Sequence, residues 1–136
     1  MAFVVDNCVA MAWCFEDEAS PYTESLLERL RVEQAVVPAI WPLEVANALL
    51  MGEGRRRLTE AQTARFMGLL TALPIMVDTE ALSKALGPIM AIGRQHTLSA
   101  YDASYLELAM RQGLPLATQD AQLRDAAAMT GIPLVQ

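Results

Sequence analysis

"AFVVDNCVAMAW", residues 2–13, is the stretch on which the fold turns. Ala2–Val5 read as a short buried strand, Asp6 follows at once, and an apolar helix over 9–15 comes next. The same order returns late in the chain, where "PLAT" at 115–118 leads through Gln119 and Asp120 into the helical "AQLRDAAAM". Three more runs read as strands: "AVV" at 35–37, "PIMV" at 74–77 and "PLV" at 133–135. Helices are expected over 22–33, 41–53, 59–72, 79–95, 99–112 and 121–130. Continuous apolar strands alternating with helices, in the order βααβααβααβαβ, predict an α/β fold. Its form is a three-layer α/β/α sandwich around a mainly parallel sheet of about five strands, with right-handed crossovers.

The 136 residues are 54% hydrophobic and 19% charged, which excludes a disordered chain and points to one domain over 1–136 with a sizeable core. No linker, repeat or low-complexity segment interrupts it. The first residues carry no basic leader, Asp6 interrupts the apolar run, and no uncharged stretch nears the roughly 20 residues of a membrane helix, so no membrane association and a cytoplasmic location are expected. Cys8 and Cys14 form no C-x-x-C pair and lack companions at zinc spacing; neither a disulfide nor zinc is expected.

A net charge of −6 argues against a surface that grips nucleic acid everywhere. A local basic patch is still available in "GEGRRRLTEAQ", where Arg55, Arg56 and Arg57 stand between a helix ending near Gly52–Gly54 and one that Thr59 can cap. Such a run is either a solvated helix end or a contact for phosphate or a partner.

Acids beyond the carboxyl ends of parallel strands carry more weight than acids elsewhere, because the functional crevice of such sheets lies there. Asp6 is the only charge in "VVDNCVAMAW", as a site acid or as a turn or helix cap. Glu44 stands in "PAIWPLEVANALLMG", where Pro42 suits a first helical turn and Asn47, three residues on, shares its face. It is either a site acid or a complement to the helix dipole. Asp102 lies in the apolar "LSAYDASYLELAM", where Ser99 three residues earlier also suggests a capping box. Asp120 repeats the arrangement of Asp6. Four converging carboxylates repel one another unless cations sit among them, and an oxygen-only donor set suits hard divalent ions such as Mg²⁺ or Mn²⁺. His96, before "TLSAYD", reads as a loop or capping residue.

Taken together, "FVVDNCVAMAW" with its trailing "EDE", "VPAIWPLEVANAL", and "LSAYDASYLELAMRQGLPLATQD" with "LRDAAAMTGIPL" resemble a PIN-domain endoribonuclease. The resemblance is to the VapC type, the toxins of bacterial and archaeal toxin-antitoxin operons, and spans nearly the whole chain. It implies that Asp6, Glu44, Asp102 and Asp120 bind Mg²⁺ or Mn²⁺ and that Thr118 supports them as the threonine of a T-x-D motif. Where the family commonly has serine or another small polar residue, this chain has Cys8. Asp125 lies five residues beyond Asp120, a helical offset that turns it away from the site.

The chemistry implied is attack by water on a phosphodiester, leaving a 5′-phosphate and a 3′-hydroxyl, with no histidine or lysine base. Single-stranded or looped RNA is favoured because a splayed backbone can enter a narrow cleft, and the resemblance implies a structured cellular RNA as substrate, a transfer RNA or a ribosomal loop. A mean hydropathy of +0.27 and eight methionines suggest apolar surface left for an interface. Proteins of this type resemble homodimers inhibited by a cognate antitoxin, and Trp13, Phe15, Trp41 and residues 49–51 are the candidate contacts. Two other classes compete. A receiver or haloacid-dehalogenase-type phosphatase needs a well-placed lysine, and the only lysine, Lys84, follows no strand. A catalytically weak PIN-like binding module is the second.

Overall fold

The computed structural model describes residues 1–136 apart from the side chain of Ala81. Four strands, β1 (Ala2–Val5), β2 (Gln34–Pro38), β3 (Ile75–Asp78) and β4 (Leu116–Ala117), form one parallel sheet in the order β3-β2-β1-β4. Phe3, Val4 and Val5 are all fully buried. Successive side chains on a strand point to opposite faces, so both faces of the sheet are covered, as a three-layer α/β/α sandwich requires.

The helices are α1 (Asn7–Cys14), α2 (Pro21–Arg29), α3 (Trp41–Gly54), α4 (Glu60–Ala72), α5 (Ala81–Lys84), α6 (Met90–His96), α7 (Ala100–Gln112) and α8 (Ala121–Thr130). Local chemistry sets most of their ends. Ser20 with Thr23 and Thr59 with Gln62 form reciprocal capping boxes on α2 and α4, and Ser99 caps α7 through the Asp102 N–H at 3.1 Å. α7 stops at Gly113, whose φ of +65° suits glycine. It then lies across β1, β2 and β4 and packs between α6 and α8.

Two elements differ from expectation. The run "PLV" does not form a full fifth strand: it makes a single parallel bridge, Leu134 to Leu116, beyond β4. Pro133 has no N–H to donate, so the pairing consists of Leu116 N–H to Pro133 C=O and Val135 N–H to Leu116 C=O, both 2.9 Å. The helix expected over 79–95 is broken into α5, a wide π-type turn at Ala85–Ile89, and α6. Pro88 lies inside that turn, and its missing N–H and ring account for the loss of regular α-helical bonding there.

Candidate functional site

Strand order brings the candidate residues together. β1 and β4 are neighbours although 110 residues of chain separate Cys8 from Thr118. From β1 the connections run outward to β2 and β3 on one side and then return to β4 on the other. The topological switch point therefore lies between β1 and β4, where the crevice of an open parallel sheet forms. The Asp6 N–H donates to the Ala117 carbonyl at 3.0 Å, closing the two strand ends side by side.

Asp6 is 6% exposed and caps α1, accepting from the Cys8 N–H at 3.1 Å. Its other oxygen accepts from the hydroxyl of the fully buried Thr118 at 2.5 Å, and that hydroxyl accepts the Asp120 N–H at 3.0 Å. Asp120 caps α8 through the Leu123 N–H at 2.9 Å. The local capping expected for Asp6 is thus real, and it coexists with convergence at the strand ends. The positive ends of α1 and α8 face the same crevice.

Glu44 stands in the first turn of α3, and its Oε1 accepts from the Tyr105 hydroxyl at 2.5 Å. Burial pushes the Glu44 carboxyl above its ordinary range; the Tyr105 hydrogen bond opposes this, and the negative fields of Asp6 and Asp102 add to it. Asp102, on the first turn of α7, is raised by burial and then by Asp6 and Asp120, with Ser99 opposing. The charges of Asp6 and Asp102 thus reach Glu44, and those of Asp6 and Asp120 reach Asp102. Among the described residues no arginine or lysine offsets Glu44 or Asp102, and none forms an ion pair with any of the four.

Among the described residues, no three His, Cys, Asp or Glu side chains are grouped closely enough to enclose an ion by themselves. Mg²⁺ keeps several waters and takes one or two carboxylates directly, so this looser set of oxygens fits an ion held partly through water. The uncompensated negative charge is the feature such an ion would neutralise.

The remaining candidates are placed unevenly. Cys8 is exposed as a residue, but its thiol turns inward, with Sγ 4.0 Å from Thr118 Oγ1, and burial followed by the Asp6 charge pushes it up to about 12. It is a neutral group. Asn47 is exposed and donates to Met51 Sδ at 3.6 Å along its own helix. Arg57 reaches Asp17 at 3.0 Å and Glu18 at 3.1 Å and covers the Phe15 ring at 4.4 Å, so its charge is committed to the acidic turn at Glu16–Glu18. Arg55 and Arg56 are exposed. Asp125 is exposed on α8, His96 sits in the last turn of α6, and Lys84 closes α5. Of the apolar contact candidates, Phe15, Trp41 and Leu49 belong to the core, whereas Leu50 and Met51 are exposed.

Two side chains at the site were not singled out in the sequence. Tyr105 stands in an apolar helical run, where an aromatic reads as core. Arg124, whose Nη1 donates to the Thr118 carbonyl at 2.8 Å, carried only the signal of lying four residues into the helix that Asp120 opens.

The family model for the PIN domain matches residues 3–129. The chain belongs to the PIN-domain family. Solved structures agree on the fold. PAE2754 from Pyrobaculum aerophilum superposes with a TM-score of 0.67 at 20% identity, covering 93% of this chain and 79% of that one. VapBC2 from Rickettsia felis, bound to a DNA fragment from their promoter, gives 0.67 at 11% identity, covering 99% and 98%. FitAcB from Neisseria gonorrhoeae gives 0.62 at 15%, covering 100% and 97%. Comparison with curated proteins finds no match. Within this PIN domain no helix among the described residues is long and apolar enough to cross a membrane.

Proposed function

We propose that this PIN domain is a metal-dependent endoribonuclease and the toxin component of a toxin-antitoxin module. Asp6, Glu44, Asp102 and Asp120 would hold Mg²⁺ or Mn²⁺. What supports the reading is that Asp6 and Asp120 follow the paired ends of β1 and β4 in a PIN domain, that Glu44 and Asp102 lie within reach of the charges there, and that no protein cation is paired with any of the four. When bound, the ion supplies charge neutralisation at the scissile phosphate and lowers the pKa of water toward neutrality.

The chain's own residues do the positioning. Thr118 holds one oxygen of Asp6 and fixes the start of the Asp120 turn; the Cys8 N–H holds the other oxygen of Asp6. Hydrolysis by water leaves a 5′-phosphate and a 3′-hydroxyl. Within the arginine run, Arg55 and Arg56 are the exposed cations available to an RNA backbone, since Arg57 is engaged by Asp17 and Glu18.

VapBC2 and FitAcB among the solved neighbours support an antitoxin partner. The exposed Leu43, Leu50, Met51, Met67 and Met76 support interfaces with that partner and with a second copy of the chain. Induced expression in a bacterial host tests the toxin role. The reading expects growth arrest with loss of a discrete RNA species, and no arrest by an Asp6→Asn variant. A folded wild type that accumulates with neither effect would refute it.

A further inference from the structure

The Tyr105 ring is fully buried on α7, where a phenol hydroxyl needs a partner. Its partner is Glu44 Oε1 at 2.5 Å, on α3, and this is the single side-chain hydrogen bond that Glu44 makes among the described residues. Asp102 and Tyr105 are three residues apart on one helix and share a face. α7 thus presents one of the four carboxylates itself and grips a second that belongs to another helix. A half-buried glutamate with three free side-chain torsions and one hydrogen bond depends on that bond for its direction.

We infer that Tyr105 is a positioning residue: its hydroxyl fixes the Glu44 carboxylate for the divalent ion without touching the ion. The inference rests on the metal-site reading given above. Partners that orient a ligating carboxylate in this way change metal affinity or activity by about 10- to 100-fold when removed. A ring that only filled the core would lose nothing but stability when its hydroxyl is deleted.

The experiment is calorimetric titration of Mn²⁺ into chelator-stripped wild type, Tyr105→Phe, Glu44→Gln and the double variant, each shown to be folded by circular dichroism. The expected result is Mn²⁺ affinity about 10-fold weaker in Tyr105→Phe, with the double variant no weaker than Glu44→Gln alone, because the tyrosine acts through the glutamate. RNA cleavage by Tyr105→Phe should then need about 10-fold more Mn²⁺ for half-maximal rate. Glu44→Asp, which shortens the carboxylate out of reach of the hydroxyl, should reproduce the loss with the Tyr105 ring intact. Wild-type affinity in Tyr105→Phe, or a further loss when it is added to Glu44→Gln, overturns the inference while leaving the metal site standing. A wild type that takes up no Mn²⁺ overturns the site reading and this inference together.

Discussion

Thr118 Oγ1 donates to Asp6 Oδ2 at 2.5 Å and accepts the Asp120 N–H at 3.0 Å, so one buried hydroxyl joins residues from opposite ends of the chain. Thr118→Val keeps the shape but strands a carboxylate oxygen and a backbone N–H. The expected cost is about 1–3 kcal/mol of stability by denaturant titration, with a drop in RNA cleavage. Thr118→Ser should retain most of both.

Arg111 pairs with Asp78 at 2.7 Å, Glu107 at 2.9 Å and Glu80 at 2.9 Å, and the Asp78 and Glu107 side chains are only 10% and 7% exposed. Removing the cation leaves two buried carboxylates unpaired. Arg111→Ala should therefore destabilise the fold by about 3–5 kcal/mol in urea unfolding. Arg31→Ala, whose pair with Glu28 is exposed, should change stability by less than about 1 kcal/mol.

Glu44 and Asp102 both sit above the ordinary carboxyl range in the folded chain. Between the unfolded and folded values the folded state binds more protons, so these two groups make stability fall as pH rises through that window. Asp102→Asn should raise the melting temperature of the chelated protein at pH 7, with a smaller gain near pH 4. Saturating Mg²⁺ should raise the wild type more than the variant.

Cys8 and Cys14 are pushed up to about 12 and about 11, the first by burial and the Asp6 charge, the second by burial and Glu18. At pH 8 the Cys8 thiolate fraction in the metal-free protein is on the order of 10⁻⁴, so alkylation by iodoacetamide should be far slower than for an ordinary cysteine. Mass spectrometry of a timed reaction checks this. Labelling at the rate of a free peptide thiol would contradict the neutral, inward-turned thiol.

The strand–acid–helix units around Asp6 and Asp120 were legible because an abrupt charge after a short apolar run marks a strand end. The Thr59 cap and the helix end at Gly54 were legible for similarly local reasons. Contacts made across the fold were not. Tyr105 has the same helical spacing as its core neighbours, and only the approach of α3 gives its hydroxyl a glutamate. Arg57 sits in a run of three arginines, and nothing nearby shows that acids 39 and 40 residues earlier would take it. The break at Pro88 carried its own signal, but the apolar residues around it continue a helical pattern across the interruption.

The central claim is hydrolysis of RNA at the four-carboxylate site, and cleavage of total RNA with analysis of the new ends tests it most directly. Purified, partner-free wild type and Asp102→Asn are each incubated with Mg²⁺, Mn²⁺ or EDTA. The account predicts discrete fragments with 5′-phosphates from the wild type with either ion, and none from the variant or with the chelator. Fragments that persist in EDTA, or that end in 2′,3′-cyclic phosphates, would contradict it.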